Sequence, residues 1–181
     1  MSAPASRRQP PRRELPRIGW REWAGLPELQ LPRVKAKIDS GARSSSLHAA
    51  SIELFERDDA AWVRFVVLPK QKSDRVQRTI EQPVLETRDV RSSNGSVDRR
   101  VVIETPITMH GQTWTIELTL ADRGEMGFRM LLGRQAFRDR FLLDAGRSFL
   151  GGRLHDEAGV TAGDATTDPD DETTSDEDDA D

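Results

Sequence analysis

Residues 34–42 read Val34-Lys35-Ala36-Lys37-Ile38-Asp39-Ser40-Gly41-Ala42. Val34, Ala36 and Ile38 alternate with Lys35 and Lys37, the period of two that marks a half-buried strand. The strand runs directly into Asp39-Ser40-Gly41, three residue types that also make ordinary turns. What lifts the tripeptide above a turn is its setting. Ala42 follows, then the small hydroxyl residues Ser44, Ser45 and Ser46. Far downstream, Met130-Leu131-Leu132-Gly133-Arg134-Gln135-Ala136-Phe137 is a second apolar strand that ends on glycine and opens a helical turn.

Working outward, most of the chain predicts strands. Thr113–Leu120 alternates cleanly, with Trp114, Ile116, Leu118 and Leu120 on one face. Ala61–Leu68 is more apolar, which predicts deeper burial, and is expected to pair with Ser51–Phe55 across Arg57-Asp58-Asp59. Two β-prone runs flank Ser93-Asn94-Gly95-Ser96, and Asn-Gly supplies the positive φ angles of a tight hairpin turn. His110-Gly111 marks a further turn, and Arg134–Arg140 reads as one short helix. Many short strands and a single helix predict an all-β fold, a small closed or partly closed barrel.

The 181 residues divide into a basic tail over 1–17, one folded domain over 18–154 and an acidic tail over 155–181. Four prolines and five arginines among the first 17 residues leave too little apolar surface to offset the entropy of ordering. The acidic tail carries twelve Asp and Glu and no Lys or Arg, so self-repulsion adds to that cost. Residues 1–154 therefore hold 27 basic against 19 acidic residues, and the net charge of −4 conceals a positive body. There is no cysteine, which excludes disulfides and thiolate metal sites. No apolar run reaches the roughly 18 residues of a membrane span, and the Arg- and Pro-rich start lacks the apolar stretch of a secretory signal. A soluble, cytoplasmic protein is expected.

Together KAKIDSGARSSSLHA, DVRSSNGSVDRRVVIETPI, LTLADRGEMGFRMLLGRQAF and RFLLDAGRSFL carry a specific resemblance. An apolar strand ending in Asp-Ser/Thr-Gly-Ala, a flap hairpin, then an apolar-apolar-Gly turn into a short helix resembles retropepsin-like aspartic proteases. More closely, the chain from Ile18 to Gly151 resembles the bacterial family labelled "ATP-dependent zinc protease", one branch of which is the RimB-like proteins associated with the RimK glutamate ligase. Ser40 departs from the usual threonine, keeping the hydroxyl and losing a methyl. The label's two cofactors have no support in the residues. No G-x-x-x-x-G-K-[ST] phosphate loop occurs, nor any H-E-x-x-H, and His48, His110 and His155 stand far apart, with His48 expected on the barrel surface. No metal and no cofactor are expected.

The resemblance implies Asp39, Ser40 and Gly41 as the catalytic loop. Two carboxylates close enough to share a proton cannot both ionise, so one serves as acid while the other activates water. One Asp-Ser-Gly is present, since Asp144-Ala145-Gly146 lacks the hydroxyl. The implied solution is a homodimer that brings two Asp39 residues to a twofold axis; a monomer pairing Asp39 with Asp122 or Asp144 stays open. Substrate contacts are expected from Ala42 and Arg43 beside the loop, and from Arg91, Asn94, Gly95 and Arg99 on the flap, which also carries Arg88 and Arg100. Arginine forks bind carboxylates bidentately. An acidic or polyglutamylated protein is the expected substrate, and the RimB-like branch implies a ribosomal protein tail. Two rivals use the same barrel, a non-catalytic module for acidic peptides and a nucleic-acid binder drawn by the positive body. The aromatic residues show no stacking stripe in sequence, so specific nucleic-acid binding is not expected.

Overall fold

The structure, a computed structural model, describes residues 14–68, 77–91, 95, 97–121 and 127–152, with the backbone alone at Arg91. Residues 1–13 of the basic tail and the whole acidic tail lie outside the described residues. The architecture is all-β. Its strands are β1 (Arg17–Leu26), β2 (Leu31–Asp39), β3 (Ser45–His48), β4 (Ala50–Arg57), β5 (Ala60–Val67), β6 (Arg78–Pro83), β7 (Glu86–Arg91), β8 (Val97–Met109), β9 (Gln112–Ala121), β10 (Met130–Gly133) and β11 (Leu142–Ser148). The helix α1 spans only Arg134–Phe137. It stops short of the expected Arg140 because Arg138 turns extended and Asp139 enters the left-handed region at φ 64°.

One sheet has the order β11-β1-β2-β10-β3-β9-β8-β7, and β4-β5-β6 form a second. Both contribute to one core. Val34, Ala36 and Ile38 of β2 meet Leu118 and Leu120 of β9, Ile103 of β8, and Val63, Phe65 and Val67 of β5. Burial on β5 alternates: Trp62 and Arg64 face outward, so the expectation of a deeply buried strand holds for one face alone. The β4–β5 turn puts Asp58 and Asp59 at φ 52° and 58°, the doubly positive turn whose twist matches a hairpin.

Two features position the site. First, β10 inserts between β2 and β3, parallel to β2 and antiparallel to β3, with Gly133 opposite Asp39. The chain thus leaves β2 at Asp39, loops through residues 40–44, and returns as β3 on the far side of β10. Second, β8 outruns β9. Residues Val102–Met109 pair with β9, whereas Val97–Val101 pair with β7 alone, so the β7–β8 hairpin projects beyond the body of the sheet. Gly95 at its tip adopts φ 88°, the positive value that a tight turn requires. Asn94 lies outside the described residues.

Cations and rings pack against one another along β1 and β2. Trp23 lies between the Arg33 guanidinium, 4.0 Å from its ring, and a stacked Phe149 at 5.4 Å. Arg21 sits over Trp20 and Phe149. The rings are thus contacted by side chains of the chain itself.

Candidate active site

Strand β2 delivers Asp39 half-buried at the sheet's end, because Ile38 before it is locked in the core and Ser40 after it is exposed. Its Oδ1 accepts hydrogen bonds from the backbone N–H groups of Gly41 and Ala42, both at 3.0 Å. Two backbone donors hold this carboxylate in one orientation, the Asx-turn pattern of an aspartate that bonds the amides following it. A Cβ on Gly41 would lie 3.3 Å from that same oxygen, so glycine keeps the loop clear of its own carboxylate.

The second turn clamps the first. Arg134 N–H donates to the Ala42 carbonyl at 2.9 Å and Gln135 N–H to the Arg43 carbonyl at 3.2 Å. The Arg134 guanidinium reaches the Gly41 carbonyl at 2.9 Å and the Ser40 carbonyl at 3.5 Å. Gly133 N–H donates to Ser45 Oγ at 3.2 Å. Contact here is close enough that a Cβ on Gly133 would stand 2.4 Å from the Ser44 backbone, a collision no L-residue tolerates. Arg134, read from sequence as part of a general positive body, is therefore a brace for the aspartate loop. The signal that locates it is its place directly after the second strand–Gly turn.

Asp144 is drawn elsewhere. It accepts from Gly146 N–H at 3.1 Å and lies 3.9 Å from Arg17. Strand β1 separates β11 from β2, so two inter-strand spacings of about 4.8 Å lie between the backbones that carry Asp144 and Asp39. Asp122 lies outside the described residues.

The flap is less positive than its four arginines suggest. Arg88 forms ion pairs with Glu86 and Glu117, which first and foremost through Glu117 raise its already high pKa. Arg100 pairs with Asp98 at 3.3 Å. Arg99 donates to the neutral Thr87 Oγ1 at 2.9 Å. Two of the four cations are thus matched by carboxylates. Arg43 is exposed beside the loop, and the Arg91 side chain lies outside the described residues.

His48 is buried rather than on the surface, its N–H bonded to the Arg129 carbonyl. His110 lies on the other turn, with Nε2 3.4 Å from Glu22 Oε2 yet outside hydrogen-bond geometry. Among the described residues no three His, Asp or Glu converge as metal ligands, so those residues do not fit the zinc of the family label.

Glu22 escaped the sequence reading. Fully buried, it accepts Gly19 N–H at 2.6 Å, Leu150 N–H at 2.9 Å and Gly151 N–H at 3.2 Å. Burial alone would raise its pKa, but the adjacent His110 ring and these three amides outweigh it and hold the carboxyl below its ordinary value. Its parity with Ile18, Ala24 and Leu26 along β1 places it on the buried face, and that was the available signal.

A loop aspartate, a clamping strand–Gly–helix turn and a projecting hairpin now stand in one chain. The family model described as RimB-like, "Retropepsin-like aspartic endopeptidase RimB", matches residues 17–153. The chain belongs to the RimB-like family. Three relatives carry the name "Probable alpha-L-glutamate ligase". The one from Desulfotalea psychrophila is 46% identical over 127 residues, covering 70% of this chain and 27% of the relative. The one from Shewanella halifaxensis is 43% identical over 139 residues, covering 77% and 30%. The one from Parasynechococcus marenigrum is 48% identical over 127 residues, covering 70% and 27%. This RimB-like chain therefore spans less than a third of the length of these curated relatives. A crystal structure of a protein of unknown function from Legionella pneumophila is similar, with TM-score 0.64 and 26% identity over 75% of this chain and 98% of that one. Among the described residues no helix is long and apolar enough to cross a membrane.

Proposed function

We propose that this RimB-like chain is an aspartic peptidase that hydrolyses peptide bonds in acidic, glutamate-extended protein tails, acting as a homodimer with one Asp39 from each copy. The observation that carries the reading is the Asp39 carboxylate, fixed by the Gly41 and Ala42 amides on a loop braced by Arg134. With two such loops face to face, one carboxylate holds a proton while the other takes a proton from water. The water attacks the scissile carbonyl carbon as the protonated carboxyl donates to the carbonyl oxygen. The carboxyl that took the water's proton then gives it to the leaving amine as the C–N bond breaks, and the collapsing diol returns a proton to the first carboxylate. Ser40 and Gly41 shape the loop contact across the twofold axis, and the β7–β8 hairpin covers the bound peptide. Ala42, Arg43, Arg91 and Arg99 are the proposed substrate contacts, with Asn94 and Gly95 forming the tip of the cover. A ribosomal protein tail in the cytoplasm is the proposed physiological setting.

Pure protein incubated with polyglutamylated and unmodified acidic peptides, metal-free and then with zinc and ATP, tests the activity by mass spectrometry. Mixing tests the dimer: equal amounts of Asp39→Asn and wild-type chains should cut wild-type activity to about half, because random pairing leaves half of the wild-type chains with an inactive partner. Unchanged activity after full exchange would exclude a shared site. A second reading has its own support in the ligase names of the relatives. In it the barrel is a non-catalytic module that holds an acidic chain for a ligase, and Asp39→Asn leaves both binding and function intact. Salt-sensitive retention of plain RNA, undiminished by polyglutamate, would favour a nucleic-acid binder instead.

A further inference from the structure

Beside the aspartate loop, between β9 and α1, lies a cavity of about 250 Å³ that the flap arginines do not reach into. Trp114, Ile116 and Ala136 are its apolar lining residues. Trp114 is fixed there by its Nε1–H, which donates to the Ala136 carbonyl at 2.9 Å. Ser44, Thr115 and Gln135 supply polar groups on the walls, and Arg138 and Arg140 the positive charge. Arg140 is held with its guanidinium 5.1 Å from the Trp114 ring centre, which leaves the edge of its fork for a ligand. Arg138 is strongly exposed and pairs with the neighbouring Asp139 at 3.9 Å. Glu117 also lines the cavity, but its carboxylate is engaged by Arg88 at 2.8 Å. The cavity therefore sets two arginines beside apolar and neutral polar groups, with Glu117 turned to Arg88 and the exposed Asp139 as the one carboxylate paired with them among the described residues.

We propose that this cavity is a carboxylate subsite that reads a glutamate side chain of the substrate at a distance from the scissile bond, with Arg138 and Arg140 as its specificity residues. The proposal deepens the peptidase reading and rests on it for the identity of the ligand as a peptide. Ser44 follows Asp39 by five residues, so the cavity lies within about 18 Å of the catalytic carboxylate along any path of the backbone. An extended peptide of about five residues spans that distance. The methylenes of glutamate suit the apolar Trp114 and Ala136 lining while its carboxylate meets the arginine fork. Arg88 and Arg100 on the flap are already paired with carboxylates, so the cavity arginines add cationic groups to those proposed from Arg91 and Arg99.

Direct binding separates the subsite from catalysis. Asp39→Asn protein, titrated calorimetrically with hexaglutamate, should lose affinity at least about 10-fold when Arg138→Gln and Arg140→Gln are added, since charge-assisted bonds carry about that factor. Affinity for hexaglutamine should change by less than about twofold. Arg17→Gln with Arg147→Gln, the same charge change on the β1–β11 side, should leave hexaglutamate binding within about twofold. Arg138→Gln alone guards against loss of fold, because that side chain is largely exposed, and should account for several-fold of the effect. Equal losses in the cavity and control variants, or none in either, would overturn the subsite, as would inorganic phosphate competing as tightly as the peptide. If the cavity variants lose hexaglutamate while wild-type protein cuts no peptide, the subsite stands and the peptidase reading falls. If wild-type protein cuts acidic peptides and the cavity variants bind and cut them unchanged, the reverse holds.

Discussion

Replacing Glu22 with glutamine should cost the fold about 3–5 kcal/mol at neutral pH, from the count of donors it must satisfy. The carboxylate is fully buried, with Oε1 accepting from Gly19 and Leu150 and Oε2 from Gly151. Glutamine keeps one acceptor oxygen. If it occupies the Oε1 position, its amide nitrogen faces the Gly151 N–H donor to donor, leaving that group without a partner at about 1–3 kcal/mol. The two surviving bonds change from charged to neutral and weaken by about 1 kcal/mol each. In a chain of this size the sum lowers Tm by roughly 10 °C. The pH dependence carries the sharper test. The Glu22 pKa is depressed in the folded state, so its contribution is complete above the unfolded carboxyl value of 4.5 and is lost as pH falls through the lower folded value. Thermal melts of wild type and Glu22→Gln at pH 7, 5 and 3 should therefore converge on acidification. A Tm difference under about 3 °C at pH 7, or one that stays constant to pH 3, would refute the reasoning.

Four further outcomes are expected. Asp39→Asn should retain the fold, because its amide oxygen still accepts from Gly41 and Ala42, while peptide turnover falls by about 10³-fold; a melt beside a mass-spectrometric assay checks both. Gly133→Ala should destabilise by about 3 kcal/mol or more, since the new methyl meets Ser44 backbone rather than a yielding side chain. Arg134→Met keeps the stem and removes the two carbonyl contacts, so kcat should drop about 10-fold or more with KM little changed; a change confined to KM would show that the arginine binds substrate instead. Reversing Arg91 and Arg99 to Glu should raise KM for a polyglutamate peptide well above its effect on a neutral one, and equal effects would count against flap recognition.

The strands and the aspartate loop were legible because each depends on local pattern. Period-two alternation marked β2 and β9, Asn94-Gly95 marked the hairpin, and the strand–Gly turn at Gly133 marked the partner of Asp39. Features that depend on which residues meet across the sheet were not legible. Nothing in the run around Arg88 says that Glu117 lies within 2.8 Å of it, so the flap read as more positive than it is. His48 read as a surface residue because polarity outweighed position, although Leu47 and Ala49 beside it are also buried. Arg134 looked like one more surface charge until the fold carried it onto carbonyls 93 residues away in sequence.

That separation has a bearing on when the aspartate loop gains its frame during synthesis. Asp39 emerges early in synthesis, but the strand that flanks it and the arginine that steadies its turn arrive almost a hundred residues later. Parallel pairing across so long a stretch closes slowly, after the intervening hairpins have formed. A nascent or truncated chain would thus present the acid without its frame, and the proposed peptidase activity would wait until nearly the entire domain had been made.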